Sequence, residues 1–369
     1  MDNKFKWFGN SINRLIAGED LSREETRGLF SELLNGEQTD IHQGALLSAI
    51  TAKGPNPAEI AGAWEAIFDL DTVKVTPDVQ EPLIDNCGTG MDSVKTFNIS
   101  TASAIVAAAG GIYLARHGAR AITSRCGTVD ICEALGIDVE CESEIVKTSI
   151  EKSGIGLFNG MSPHVHPRAL FRILSQMSFG SILNIAASLS NPAKPEHGVR
   201  GIYSEKMILP VVETMKEIGF KRAMVFHGTS GNGAGGMDEL SPVAESFVAE
   251  LSEDGCIQNY TITPEAAGLS NGSRLAEIAG GNDPEQEALR LLKVFTRKDA
   301  RTLYETICLN AAPIFYVAGK VSCLKDGVDK ARAVIDSGKA FNKLNQWVKA
   351  QNQEDTQGIR RFESLMEKL

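Results

Sequence analysis

The spacing of apolar residues divides the chain into two regimes. Up to about residue 75, apolar positions recur three and four apart, the period of an amphipathic helix. Asn10–Ala17 begins this series, and Ser22 with Glu25 forms a capping box that opens a helix through about Leu34. A third pattern runs from Asp40 through Ala52, and a fourth from Pro57, with proline in its first turn, to Leu70. Strand signals are nearly absent here, so the segment reads as a small helical domain whose apolar faces could also serve a homodimer.

From Pro82 the pattern changes to short β-type runs alternating with helices. One run ends at Ile84, Ile112–Ala115 reads as a strand, Thr128–Leu135 as a helix and Val139–Glu140 as a short strand. Ser143–Lys152 reads as a helix with a serine cap, Ile155–Phe158 as a strand, and another helix begins near His166. Farther on, apolar Ile182–Leu189 ends at an Asn191-Pro192 turn, Ser204–Ile218 is helical, and Arg222–Phe226 is a strand. Ser246–Leu251 and Ile257–Ile262 read as a hairpin, and Pro284 to about Val348 as mainly helix before a polar, frayed tail. Such alternation predicts a parallel, helix-covered sheet.

Length and composition narrow the setting. A chain of 369 residues has two domains as its natural division, and 43% hydrophobic with 23% charged residues suits a globular protein. The N-terminus lacks the apolar core of a signal peptide, and no run approaches a membrane span, which points to the cytoplasm. Seven cysteines, an odd number without CxxC spacing, support neither a disulfide framework nor a zinc knuckle. The net charge of −10 speaks against nucleic acid but not against a small polyanion neutralised by local cations or a divalent metal.

Four stretches carry candidate chemistry. The first, residues 85–101, reads DNCGTGMDSVKTFNIST: a strand end, a glycine turn and a helix start. Unpaired N–H groups at such a junction can point at one anion, and glycine lets the ligand reach the backbone. Thr89, Ser93, Ser100 and Thr101 add hydroxyl donors, and Asn98 is a natural cap. An ordinary βα turn with a polar cap is the competing reading.

The second, Ala115–Glu133, gathers Arg116, His117, Arg120 and Arg125 beside Ser124, Gly127 and Thr128. Arginine forks suit phosphate oxygens, although the same arginines would also serve a solvated face paired with acids. In the third, five glycines from Gly228 to Gly236 mark a mobile loop that leads to Asp238-Glu239. Adjacent carboxylates of this kind can hold Mg²⁺ shared with substrate phosphates, or can be plain surface charge. The fourth contains His164 and His166, but no nearby ligand completes a zinc set, so His166 is expected to line a pocket or cap the next helix.

Taken in order, GTGxD…TFNIST, RHGxR, TSRCGTVDICEALG, HVHPRA, NPA and GMDELS resemble the anthranilate phosphoribosyltransferase family, as does the C-terminal LNAAPIFYVAGK…GVDKARAVIDSGKA. The resemblance covers nearly the whole chain. It implies an α/β protein in which a small all-helical domain, residues 1–78 joined by helices from about 168–190, is hinged to a larger α/β domain, residues 79–369, with a mainly parallel central sheet. It further implies a cleft between them, a homodimer paired through the helical domain, phosphoribosyl pyrophosphate and an aromatic acceptor as substrates, and Mg²⁺. By position, Gly88, Gly90 and Asp92 belong to the turn around the diphosphate and ribose, with Ser93 and Thr96 also implied to bind substrate. Asn98, Ser100 and Thr101 would bind the diphosphate or its metal, with Arg116, His117, Ser124 and His166 completing the substrate site. Ser100, Asp238 and Glu239 form the implied metal set, and His117 could orient the acceptor.

The chain departs from the family pattern at instructive places. GTGGDG becomes GTGMDS, so Met91 and Ser93 replace glycines, and bulk at 91 could restrict the diphosphate's approach to the backbone. KHGN becomes RHGA, so Arg116 replaces lysine and Ala119 an asparagine that contacts anthranilate. Gly180 stands where an arginine would pair the anthranilate carboxylate. The donor half of the implied site is thus largely retained and the acceptor half changed. Transfer to anthranilate is the family default, with a different acceptor, nucleoside phosphorolysis and a catalytically silent binding homologue as alternatives.

Overall fold

A computed structural model describes residues 3–121, 126–231, 233, 235–270, 272–298, 301–352 and 356–369. Four helices come first: α1 (Asn3–Ile16), α2 (Arg23–Leu34), α3 (Asp40–Lys53) and α4 (Pro57–Asp71). The Ser22–Glu25 capping box is formed, and Asn56 with Glu59 makes a second one that opens α4 behind its proline. There follow β1 (Leu83–Gly88), α5 (Ile99–Ala109), β2 (Tyr113–Gly118), α6 (Thr128–Ala134), α7 (Ser143–Ser153) and β3 (Ile155–Asn159). Next come α8 (Leu170–Gln176), α9 (Leu183–Leu189), β4 (His197–Gly201), α10 (Ile208–Glu217), β5 (Arg222–Thr229), β6 (Gly236–Met237), β7 (Ser246–Leu251) and β8 (Ile257–Ile262). The chain closes with α11 (Pro284–Phe295), α12 (Arg301–Val317), α13 (Leu324–Asp336), α14 (Lys339–Gln351) and α15 (Thr356–Glu367).

The strands form one sheet in the order β3-β2-β1-β4-β5-β7-β8, with β6 beside β5. The first five in that order are parallel, and β6, β7 and β8 are antiparallel additions. This is the expected α/β class. Side chains alternate across the sheet: Ala223 and Val225 join the core that contains α1–α4, α8, α9 and α10, while Met224 and Phe226 join the core under α5 and α11–α14. Strand order reverses at β1, whose neighbours are β2 on one side and β4 on the other. A crevice therefore opens beyond the carboxyl ends of β1 and β4, the position where open α/β sheets bind ligands.

Several local expectations are corrected. Val139–Glu140 is not a strand among the described residues; Arg120 and Asn159 hold Glu140 through its side chain instead. Ser143 does not cap α7 but lies inside it, its hydroxyl donating to the His164 carbonyl at 2.8 Å. The helix expected near His166 begins only at Leu170, because the chain first turns through residues 160–169. The polar tail is not frayed: α15 buries Phe362 and Leu365, and Gly136 permits its close approach, since a Cβ there would lie 2.2 Å from the Gly358 carbonyl.

Helices α8 and α9 are tied to α4 by buried polar contacts. The fully buried Asp71 carboxylate accepts the amides of Arg168, Ala169 and Leu170 at 2.5, 3.0 and 2.8 Å, doing from a distance what a local cap would do for α8. The Trp64 indole donates to the Leu189 carbonyl at 3.0 Å. Replacing Asp71 with Ala strands two buried donors and one half-buried one and is expected to cost roughly 2–4 kcal/mol, with Asp71→Asn milder. Urea unfolding of the two variants checks this.

Candidate active site

Three glycines prepare the carboxyl edge of the sheet. Gly88 and Gly201 end β1 and β4 opposite one another, and Gly228 lies next to the last residue of β5. A Cβ on Gly88 would lie 2.2 Å from an Asp238 carboxylate oxygen, one on Gly201 1.5 Å from the Asp238 carbonyl, and one on Gly228 2.3 Å from the Glu239 carbonyl. The acidic segment lies directly on the strand ends, so Asp238 reaches the turn after β1 although 148 residues separate it from Gly90. Within the loop that sequence suggests is mobile, β5 continues to Thr229 and β6 returns antiparallel to it, while residues 232 and 234 lie outside the described residues.

Gly88, Gly90, Asp92 and Thr96 line one cavity of about 110 Å³ with Asn98, Ser100, Asp238 and Glu239. Of the N–H groups expected to be unpaired, the Gly90 amide has a carboxylate partner, donating to Asp238 at 2.8 Å, and the Ser100 amide at the start of α5 acts on Glu239, favouring its charged form. Burial and the neighbouring Asp92 charge push Asp238 up to about 7, and burial with Asp238 and Asp92 nearby lifts Glu239 well above the carboxylate range. Burial also raises Asp92, against the pull of Lys95 at 2.9 Å. Such a cluster of acids beside anion-binding amides suits a cation and a polyanion together.

Arg116 is buried and holds this wall together. Its guanidinium donates to Asn86 at 3.0 Å, Thr101 at 2.8 Å and Ser100 at 3.3 Å, fixing the strand end to the first turn of α5. Thr101 lies in that first turn and donates to the Asn98 side chain at 2.5 Å, so Asn98 makes no side-chain cap bond to the helix backbone. Ser93 lies beside the cavity, accepting the Gly236 amide at 3.1 Å. Arg120 has the structural role: it pairs with Asp130, Glu133 and Glu140 at 3.3, 2.7 and 2.9 Å. Ser124 and Arg125 lie outside the described residues. Lys95 and Phe97 also line the cavity. Lys95, the one cation in the 85–101 stretch, was the signal for it.

A second cavity meets the first at Gly88. His117 and His166 line it, opposite Leu174, Asn184, Ala187 and Ser188 from α8 and α9. Ala119 lies at its edge, and no Lys, Arg, Asp or Glu among the described residues lines it. Burial lowers both histidines, His166 to about 4, which keeps them neutral at physiological pH. Sequence reasoning missed Asn184 and Ser188, which occupy a stretch that reads only as an apolar helix. Asn184 anchors the turn, donating to the Thr89 carbonyl at 2.9 Å.

Met91 has φ of +67°, a left-handed conformation that costs a side chain on the order of 1–3 kcal/mol. Its thioether lies against Gly180: a Cβ at 180 would sit 2.4 Å from Met91 Cγ. Met91 thus fills the space beside residue 180.

Residues 80–341 match the glycosyl transferase family, a/b domain, and residues 10–70 the glycosyl transferase family, helical bundle domain. The anthranilate phosphoribosyltransferase of Myxococcus xanthus is 38% identical over 335 residues, 91% of this chain and 96% of the relative. That of Methanococcoides burtonii is 36% identical over 360 residues, 96% and 98% of the two chains. Among solved structures, anthranilate phosphoribosyltransferase from Thermus thermophilus aligns with a TM-score of 0.81 at 33% identity, covering 92% of this chain and 99% of that one. The Saccharomyces cerevisiae enzyme, solved in complex with PRPP and Mg, shares the fold with a TM-score of 0.80 at 21% identity, covering 94% and 98%.

Seating of the acidic segment on the strand ends is open to direct test. Gly201→Ala is expected to destabilise the protein by roughly 1–3 kcal/mol through overpacking. Amide exchange should accelerate at 236–241, while the helices of the N-terminal bundle stay protected. Hydrogen-exchange mass spectrometry beside denaturant unfolding reads both.

Proposed function

The chain belongs to the anthranilate phosphoribosyltransferase family and is a pentosyltransferase, and from that premise we propose the particular reaction it performs. It transfers the phosphoribosyl group of phosphoribosyl pyrophosphate, with Mg²⁺, to an aromatic amine that lacks the carboxylate of anthranilate. The observation that carries the acceptor half is the second cavity, whose described lining holds no ionised side chain.

The all-oxygen donor set supports Mg²⁺ at the first cavity. Among the described residues no three His, Cys, Asp or Glu side chains form a metal group of their own. Asp238 and Glu239, with the Ser100 hydroxyl, leave room for the phosphate oxygens that Mg²⁺ usually shares with its carboxylates. Bound there, the metal supplies charge neutralisation to the departing diphosphate. The remaining work falls to the protein. The amides of Gly90 and Ser100 would donate to phosphate oxygens, and Arg116 keeps the first turn of α5 rigid. Catalysis is then positioning and electrostatics: the diphosphate leaves toward the first cavity while the amine adds from the second, on the opposite face of C1.

An anthranilate carboxylate placed in the second cavity would forgo a charge-assisted bond of about 1.5–3 kcal/mol, roughly ten- to hundredfold in affinity. The half-exposed aromatic side chains of Phe5 and Trp7 on α1, with Ile41 on α3, support a homodimer formed through the bundle, and the reaction suits the cytoplasm.

Calorimetric titration of phosphoribosyl pyrophosphate with Mg²⁺ is expected to show saturable heat that Asp238→Ala/Glu239→Ala abolishes; equal heats from both proteins would remove the metal assignment. Pyrophosphate release with a panel of amines should favour aniline-type acceptors over anthranilate. Gly180→Arg alone should not restore anthranilate, because Met91 occupies the arginine's space. Met91→Gly/Gly180→Arg should raise anthranilate kcat/KM about tenfold or more over the parent.

A further inference from the structure

The two histidines of the second cavity form one hydrogen-bonded chain. His166 Nδ1 lies 2.6 Å from the Asp71 carbonyl oxygen, the two Nε2 atoms are 3.2 Å apart, and His117 Nδ1 lies 3.3 Å from the Ser188 carbonyl oxygen. The Thr72 hydroxyl near His166 Nδ1 donates to the Ile67 carbonyl instead. Both ends of the chain are carbonyls, which only accept. Three links therefore need three protons, and two neutral imidazoles carry two. With a proton on each Nδ1, the Nε2 lone pairs face each other. With a proton on an Nε2, one carbonyl loses its donor. One added proton, held between the Nε2 atoms, completes every bond.

This vacancy for a proton lies where the reaction releases one. Resting on the proposed amine transfer, we infer that the His117–His166 pair takes the proton shed by the acceptor nitrogen. The nitrogen lone pair forms the bond to C1 of the ribose, and the C1–O bond breaks with its electron pair leaving on the diphosphate. The acceptor becomes a secondary anilinium and loses one N–H proton to the shared Nε2 position. An anilinium is a strong acid for an ammonium ion, so a weak base suffices. Burial makes this pair weak, and the two carbonyls together with the second ring stabilise the proton while it is held. The charged groups acting on the pair are Asp71, bound to the amides at the start of α8, and Arg200 of β4, paired with Asp85 at 2.5 Å. The pair returns to neutral when the proton leaves for solvent with product.

The test uses His117→Gln and His166→Gln in the full-length protein, since glutamine keeps an amide donor for the flanking carbonyl. Calorimetry with phosphoribosyl pyrophosphate and Mg²⁺ should be unchanged in both, showing an intact first cavity. Rapid-quench transfer to an aniline acceptor is expected to fall about a hundredfold in kcat with little change in acceptor KM. The solvent deuterium isotope effect of the wild type should shrink in both variants, as a shared proton requires. Wild-type kcat in either variant, or a loss confined to KM, overturns the proton step and leaves the functional reading standing. A wild-type enzyme that binds the sugar diphosphate but transfers to no amine overturns that reading, and the proton step with it.

Discussion

The close approach of the acidic segment to the ends of β1, β4 and β5 is the contact on which the site depends. It exists because Gly88, Gly201 and Gly228 have no side chains where Asp238 and Glu239 cross. Three acids gathered in one partly buried place would repel, and their raised protonation tendency records that cost. Lys95, the Gly90 and Ser100 amides and the nearby Arg116 offset it within the chain. The same arrangement is poised for a cation that replaces the protons and an anion that takes over the amides.

Gly88 is also the hinge of the chemistry, because it lines both cavities. On one side of it lie charge, hydroxyls and a helix start; on the other, a wall of small apolar and neutral polar groups. A substrate spanning the two would have its diphosphate in the first and its ribose carbon at the junction. Of the departures from the family pattern, Ala119 lines the second cavity, while Met91 and Gly180 pack against one another. Met91 accepts a left-handed backbone in a turn built of glycines and directs its bulk toward Gly180.

The helical bundle contributes to the site through Asp71. Its carboxylate fixes the start of α8 and its carbonyl fixes the His166 ring, so one residue at the end of α4 aligns one wall of the second cavity and the imidazole pair. Motion of the bundle relative to the sheet would carry α8, α9 and His166 with it.

The periodicity of the chain determined the class of fold, most element positions and the capping of α2, because these depend on neighbours within a few residues. The ordered motifs determined the family, and with it the pairing of the glycine turn with Asp238-Glu239, which spacing alone leaves open. Tertiary structure decided the rest. Asn98 looks like a cap but is taken by Thr101, whose hydroxyl Arg116 bonds; Arg120 looks like a phosphate ligand but is taken by three acids brought from α6 and the following loop. The tail looks solvated until α15 finds Gly136. A side chain's partners are chosen by what the fold brings within about 3 Å. That distance is set by packing between residues far apart in sequence, which no local pattern encodes.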